Sequence, residues 1–223
     1  MALTDHRTLT ERVADHLRDA IARGELQPGQ PVRQAHLAQQ LGVSPAPLRE
    51  ALRQLESEGF VTFRSFAGAI VTPWSEEEVR ELTDLRILLE GYALRIAAPA
   101  LTPDATTRAR AALTQAERHA DPQRAGAALQ DYRRALFGAA GQPLLLALVD
   151  WLNARERRYL SLLGERTGYF RDLVEAHRHV LDTLREGDVE DAVDRLEDTY
   201  LEAADALVSA LHDRQGHRTR ARG

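Results

Sequence analysis

The stretch Leu41 to Gly59, LGVSPAPLREALRQLESEG, constrains this chain more than any other. Ser44 followed by Pro45 predicts a helix start. Serine is favoured at the N-cap, and proline at the next position presets φ while holding the residue before it extended. Leu48, Ala51, Leu52 and Leu55 then recur at helical spacing on one face, while Arg49 and Arg53, four apart, share another. Gly59 stops that helix. Upstream, Arg33 to Leu41 predicts a second short helix, with Leu37 and Leu41 facing the same core and Gly42 closing it in the left-handed conformation that glycine favours. Two short helices, a tight turn and cations on the second helix predict a helix-turn-helix.

An ordinary antiparallel helix pair satisfies the same pattern, and the flanking sequence distinguishes the two. An amphipathic helix with Val13, Leu17, Ala20 and Ile21 on one face precedes the pair and ends at Gly24. Behind it, Phe60 to Phe63 and Ala69 to Val71 are strand-like runs joined by Arg64-Ser65-Phe66-Ala67-Gly68, which predicts a β-hairpin, or wing.

The segments GELQPGQPV, LAQQLGVS and PLREALRQLESEGFV and the Gly68 wing fall in order, so that residues 9 to 73 resemble the N-terminal winged helix of GntR-type bacterial transcription regulators. That resemblance implies DNA binding through Arg33, Ser44, Pro45, Ala46, Arg49, Arg53, Arg64, Ser65 and Gly68. Family members usually carry Arg directly after the serine of the turn, where it reads a guanine. This chain has Pro45 there, which leaves Arg49 as the matching base or phosphate reader.

Charge is divided along the chain. Residues 1 to 73 hold eight Arg against eight Asp and Glu, and the remaining 21 Arg against 26 acids give the whole net charge of -5. The N-terminal part is therefore neutral, and repulsion from a polyanion belongs to the rest. With no cysteine there is no disulfide, no thiolate metal site and no cysteine nucleophile. The N-terminus lacks an apolar signal core, and the longest apolar run, Leu144 to Val149, is far too short to span a bilayer, so a cytoplasmic protein is expected.

The expected divisions are a winged helix over 1–73, a helical domain over 74–212 and a disordered basic tail over 213–223, with residues 1–8 also disordered. Ser75-Glu76-Glu77-Glu78 predicts a capping box in which Glu78 reaches back to the cap. Beyond it only helical periodicity appears, predicting six helices over about 75–98, 103–119, 123–140, 143–163, 168–186 and 188–212. Gly141, Gly164, Gly168 and Gly187 punctuate them. The fold class is mainly α: a three-helix winged unit with a β-hairpin, then a six-helix antiparallel bundle. DLRILLEGYALRIAA, LFGAAGQPLL and EAHRHVLDTLREGDVEDA resemble the FCD effector domain of the FadR-like GntR branch, over about 80 to 208.

Four apolar stripes of that bundle each contain a polar residue: Arg86, Arg133, His177 and Thr199. Buried polar groups are costly unless paired, so these four predict a polar chamber that binds a ligand. A structural network, for example Arg86 with Glu90, is the alternative. In the FCD family the pocket commonly holds a divalent metal on one Asp and three His, and the resemblance places Leu129, Arg133, His177 and Thr199 at those positions. One imidazole cannot hold a zinc, and His179 lies about 200° round the helix from His177. No metal and no cofactor are therefore expected. Arg133 or Arg86 would instead bind a carboxylate effector directly, since neither has an evident acidic partner in its own stripe except Glu90.

The expected function is a homodimeric transcription regulator, a repressor by resemblance, that binds a palindromic operator and responds to a small organic acid. Two alternatives stay open, a winged helix that binds protein and a metabolite-binding helical protein without a DNA function. Steep salt dependence would separate DNA binding from an apolar protein contact. Nothing in the sequence predicts an enzyme: there is no phosphate loop, triad order or paired metal motif.

Overall fold

The computed structural model describes residues 8–119, 121–160, 162–163 and 169–220, and divides into two compact units, 1–74 and 75–223. In the first, α1 (Leu9–Ala22), α2 (Gln34–Leu41) and α3 (Pro45–Ser57) precede β1 (Val61–Arg64) and β2 (Gly68–Val71). Thr8 caps α1 in a reciprocal box: its hydroxyl accepts from Glu11 N–H, and the Glu11 carboxylate takes the Thr8 amide at 2.7 Å. Val13, Leu17, Leu48, Leu52, Leu55, Phe60 and Val71 form the core. The apolar faces of α1 and α3 thus meet against the hairpin. Gly42 closes α2 at φ 63°, as its place after Leu41 requires.

Ser44 sits at the N-cap of α3 with extended backbone, but its side chain makes no capping hydrogen bond. Pro45 and Pro47 occupy N1 and N3, so the N–H groups a cap side chain would bind are missing there except at Ala46. The hairpin pairs antiparallel from Val61 with Val71 to Arg64 with Gly68. The free edge of β2 is covered by the preceding loop: Val32 N–H donates to Ala69 O and Val71 N–H to Gln30 O. The GELQPGQPV segment therefore supplies a third, short partner to the wing, with a bridge between Pro31 and Ile70.

The second unit comprises α4 (Glu76–Ala97), α5 (Pro103–Arg118), α6 (Pro122–Phe137), α7 (Pro143–Leu160), α8 (Tyr169–Glu186) and α9 (Val189–Arg220), with short 3₁₀ turns at Ala98–Ala100 and Gly138–Ala140. α4 packs on α7 and α9, α6 on α5 and α7, and α8 on α5 and α9. Gly91 faces α9, where a Cβ would meet Val193 Cγ1 at 3.4 Å, the near limit of ordinary contact. Leu94, Leu113, Leu129, Tyr132, Leu136, Val149, Leu181 and Leu196 belong to one core. Among the described residues, no helix is long and apolar enough to cross a membrane.

Two local expectations change. The Ser75 hydroxyl accepts from Glu78 N–H at 3.1 Å, but the Glu78 side chain does not reach back. It turns into the bundle, where Arg155 at 3.0 Å, Arg158 and the Tyr159 hydroxyl at 2.9 Å hold it. Two guanidinium groups outcompete one backbone amide for a carboxylate. The segment expected as a tail from 213 is helical as far as Arg220, since no proline interrupts α9 after Val189. Residues 1–7, Gly164, Gly168 and 221–223, for which disorder or helix ends are expected, lie outside the described residues.

Candidate nucleic-acid interface and effector chamber

All nine residues expected to meet DNA are exposed: Arg33, Ser44, Pro45, Ala46, Arg49, Arg53, Arg64, Ser65 and Gly68. The cations of this unit divide by partner. Arg18 is held by Glu58 at 2.7 Å and by Asp15, and Arg23 by Glu25 at 2.7 Å. The side chains of Arg33, Arg53 and Arg64 have no ion pair among the described residues, and Arg49 makes only one contact, from Nε to Pro45 O at 3.3 Å. The neutral charge balance of this unit thus conceals unpaired guanidinium groups on α3 and its surroundings, available to phosphate or base edges. Arg49, Arg53 and Glu56 follow one another at i, i+4 and i+7, a single stripe of α3. Glu56 accepts the Phe63 amide at 3.2 Å, which ties the wing to that stripe.

In the helical unit a buried polar network surrounds Glu90, which has no solvent exposure. Its Oε1 accepts from Arg86 Nε at 2.9 Å and Asn153 Nδ2 at 3.3 Å, and its Oε2 accepts from the Tyr200 hydroxyl. Arg133 Nε stands 3.5 Å from the same Oε2. Arg86 also pairs with Glu156 and stacks its guanidinium 3.9 Å over the Tyr200 ring. Burial opposes the Arg86 charge, but Glu156 and Glu90 outweigh it and raise its pKa further. Burial also pushes the Tyr200 hydroxyl well above its ordinary range.

Arg86, Arg133, Asn153, Glu156, Tyr169 and Tyr200 line part of one small chamber, with Leu129 and Leu173 among its apolar walls. The space open to the centre of a water molecule is about 10 Å³, about one water. His177 adjoins this network through its ring contacts, 4.9 Å from Tyr132 and 6.1 Å from Tyr200. Burial, then Arg133 and Arg86, hold its pKa well below the ordinary histidine range, so the ring is neutral. Among the described residues, five buried polar atoms of this cluster have no hydrogen-bond partner: Arg86 Nη2, Arg133 Nε, Asn153 Oδ1 and both ring nitrogens of His177.

Three corrections follow for the sequence-predicted site. Arg133 has an acidic neighbour, Glu90, because one turn of α4 carries that carboxylate from Arg86 towards α6. Thr199 is buried, but its hydroxyl donates to Arg195 O at 2.7 Å, within its own helix. The inward polar group of α9 is its neighbour Tyr200, 100° round the helix. Glu156 and Asn153 of α7 complete the network and were not singled out; their place one turn below Val149 and Leu152 in a mostly apolar helix is the signal that could have found them.

An FCD-type metal does not fit these residues. At the four positions the resemblance assigns to ligands, Leu129 and Arg133 offer no metal donor, the Thr199 hydroxyl is bonded to its own helix, and His177 is the remaining donor. No group of three His, Cys, Asp or Glu among the described residues is placed to hold a metal.

The sequence matches the family described as bacterial regulatory proteins, gntR family, over residues 9–71 and the FCD domain over residues 81–202. It is 31% identical to the "Probable D-xylose utilization operon transcriptional repressor" of Paenarthrobacter nicotinovorans, covering 82% of this chain and 81% of that protein. It is 27% identical to the HTH-type transcriptional regulator McbR of Escherichia coli strain K12, covering 83% and 86%. The solved structure of E. coli McbR/YncC superposes with a TM-score of 0.70 at 24% identity, over 91% of this chain and 98% of that one, which shows a shared fold. The chain belongs to the gntR family of bacterial regulatory proteins, DNA-binding transcription regulators, and joins their winged helix-turn-helix to an FCD domain.

Proposed function

We propose that this regulator is a cytoplasmic repressor that binds a palindromic operator as a homodimer and releases it when a small anionic effector binds in the helical unit, where the chamber, with room for about one water as it stands, widens to admit it. The observation that carries the effector reading is the convergence of five unpartnered buried polar atoms on one network. Such atoms are rare in folded proteins and mark places where a water, an ion or a ligand completes the bonding. Glu90 is satisfied by Arg86, Asn153 and Tyr200, so a ligand carboxylate can take the guanidinium of Arg133 without stripping Glu90 of its other partners. The relative named for a D-xylose operon supports control of a catabolic operon.

Dimerisation is supported by an apolar face on the adjacent helices α4 and α7. Leu88 and Tyr92 on α4, and Leu144, Leu148 and Trp151 on α7, are all exposed, Leu144 to 82% and Leu88 to 67%. A patch of that kind marks an interaction surface, and a palindromic operator needs two winged helices related by a two-fold axis.

The test is thermal denaturation of parent and Arg133→Leu against a panel of small carboxylic acids and the matching neutral amides. An acid should raise the parent Tm, its amide should not, and the variant should respond to neither. Equal stabilisation of both proteins by the same acid would overturn the placement. A ligand shifts the operator equilibrium only through its differential affinity for the two states, so the same acid should weaken operator binding by the parent alone.

A further inference from the structure

The tip of the wing carries a residue that the fold does not use. Between Arg64 and Gly68, which pair across the hairpin, the connection is Ser65-Phe66-Ala67. Phe66 stands at its centre with φ +67°, the only non-glycine positive φ among the described residues. Left-handed backbone is normally given to glycine or asparagine in hairpin turns of this length, and an aromatic side chain there is strained. Its side chain is also wholly outside the protein, with an exposure of 110%. An aromatic ring in that position loses the burial that usually justifies it, since it packs on nothing in its own unit.

Its surroundings select the partner. Arg64, two residues before it, is exposed and has no ion pair among the described residues. Phe63 is held through its amide by Glu56, in the stripe of α3 that also presents Arg49 and Arg53. The wing is thus anchored beside the cations of the recognition helix, and an apolar tip is flanked by a phosphate-seeking group. Apolar wedges at the minor groove partially unstack a base step and kink the duplex, with adjacent cations on the backbone.

We propose that Phe66 is a minor-groove wedge: it inserts at a base step flanking the half-site read by α3, while Arg64 contacts the neighbouring phosphate. Flexible pyrimidine–purine steps, TA or CA/TG, are the easiest to open and are the expected target. This rests on the winged helix binding operator DNA. It adds to that reading a sequence preference, and a bend, at a position that carries no hydrogen-bonding base contact.

The experiment begins with the full chain and a random-sequence duplex pool. Parent, Phe66→Ala, Phe66→Gly, Phe66→Trp and Arg64→Ala are then compared on the selected site for affinity, salt dependence, and bending of circularly permuted fragments. Phe66→Ala should weaken binding roughly ten-fold, the order of an aromatic–base stacking loss, with the salt slope unchanged and the bend reduced. Phe66→Trp should retain both. Arg64→Ala should instead lower the magnitude of the salt slope by about one. Phe66→Gly should bind as weakly as the alanine variant while raising Tm, because glycine relieves the φ strain. Parent-like affinity and bend in Phe66→Ala would overturn the wedge, as would a fall in salt slope with the bend intact, which would assign Phe66 to the positioning of Arg64. A changed oligomeric state of Phe66→Ala without DNA would overturn it in favour of a protein contact. A pool that yields no preferred sequence defeats the operator reading itself, an outcome distinct from any of these.

Discussion

Arg86 and Arg133 approach the same carboxylate, Glu90, from different helices and are held unequally: Arg86 Nε donates at 2.9 Å, whereas Arg133 Nε stands at 3.5 Å without a hydrogen bond. Arg86 has Glu156 as a second acid and the Tyr200 ring beneath it. The two guanidinium groups are equally buried in effect, yet one is structural and the other is loosely held. That asymmetry separates the scaffold of the chamber from the group left for a ligand.

Arg86→Leu should destabilise the folded chain by about 3–5 kcal/mol, because Glu90 and Glu156 then lose their principal counter-charge in a largely buried site. Arg133→Leu should lie within about 1 kcal/mol of the parent, since Glu90 keeps Arg86, Asn153 and Tyr200. Urea denaturation followed by circular dichroism compares the two. Equal losses would mean that Arg133 is as structural as Arg86.

On the DNA side, Arg49→Ala should weaken operator binding by about 1–3 kcal/mol, the worth of a bidentate Arg contact to a base edge. Pro45→Arg supplies a side chain where relatives usually carry a guanine reader, and should shift the sequence selected from a random pool. Gel-shift titration and pool selection read the two effects. Unchanged affinity for Arg49→Ala with an intact fold would displace α3 from the groove, and identical selected sites for Pro45→Arg would show that residue 45 does not face the bases.

The apolar face of α4 and α7 gives a third expectation. Leu88→Asp combined with Leu148→Asp puts four carboxylates into a two-fold interface, so the chain should sediment as a monomer and lose most of its operator affinity. A variant that remains dimeric would place the subunit contact elsewhere.

Much of this architecture was legible because periodicity and punctuation agree. The α3 stripe from Leu48 to Leu55, the Gly42 turn and the two strand-like runs each constrain the backbone locally, and together they admit one arrangement. The chamber was less legible. Arg86, Arg133 and His177 interrupt apolar stripes and are buried, but a helical period resolves a face only to about one residue. It therefore favoured Thr199 over Tyr200. Glu156 and Asn153 matter through what they meet on α4, and pairing between helices distant in sequence has no periodic trace. Ser44 and Glu78 show the converse limit. Each stands in the right place for a cap, but two prolines remove the donors from one, and Arg155 and Arg158 capture the other.

Elemental analysis of the purified chain should find no stoichiometric zinc, nickel or manganese, because the FCD ligand positions hold Leu129, Arg133 and Thr199 beside the single imidazole of His177. One tightly held equivalent would place a metal on residues outside this set.

His177 should dominate the pH dependence of the helical unit between about pH 6.5 and 5. Its ring is fully buried against Tyr132 and Tyr200, and burial together with Arg133 and Arg86 keeps it neutral. Glu90 and Glu156 belong to the same network but are engaged by Arg86, so the cations prevail at the imidazole. The folded-state pKa is therefore below that of the unfolded chain, about 6.5. The unfolded chain binds the extra proton first, so the contribution of the neutral ring is complete above that pH and is lost as pH falls towards the folded-state value. Between about pH 6.5 and 5, above the range in which most carboxylates titrate, stability should drop by up to about 1.4 kcal/mol per pH unit. His177→Phe keeps an aromatic ring between the two tyrosines and removes the titration. Its stability should be nearly flat across that window, whatever its absolute value. Urea unfolding at half-unit pH steps measures both slopes, and a parent slope that survives the substitution would show that another group binds the proton.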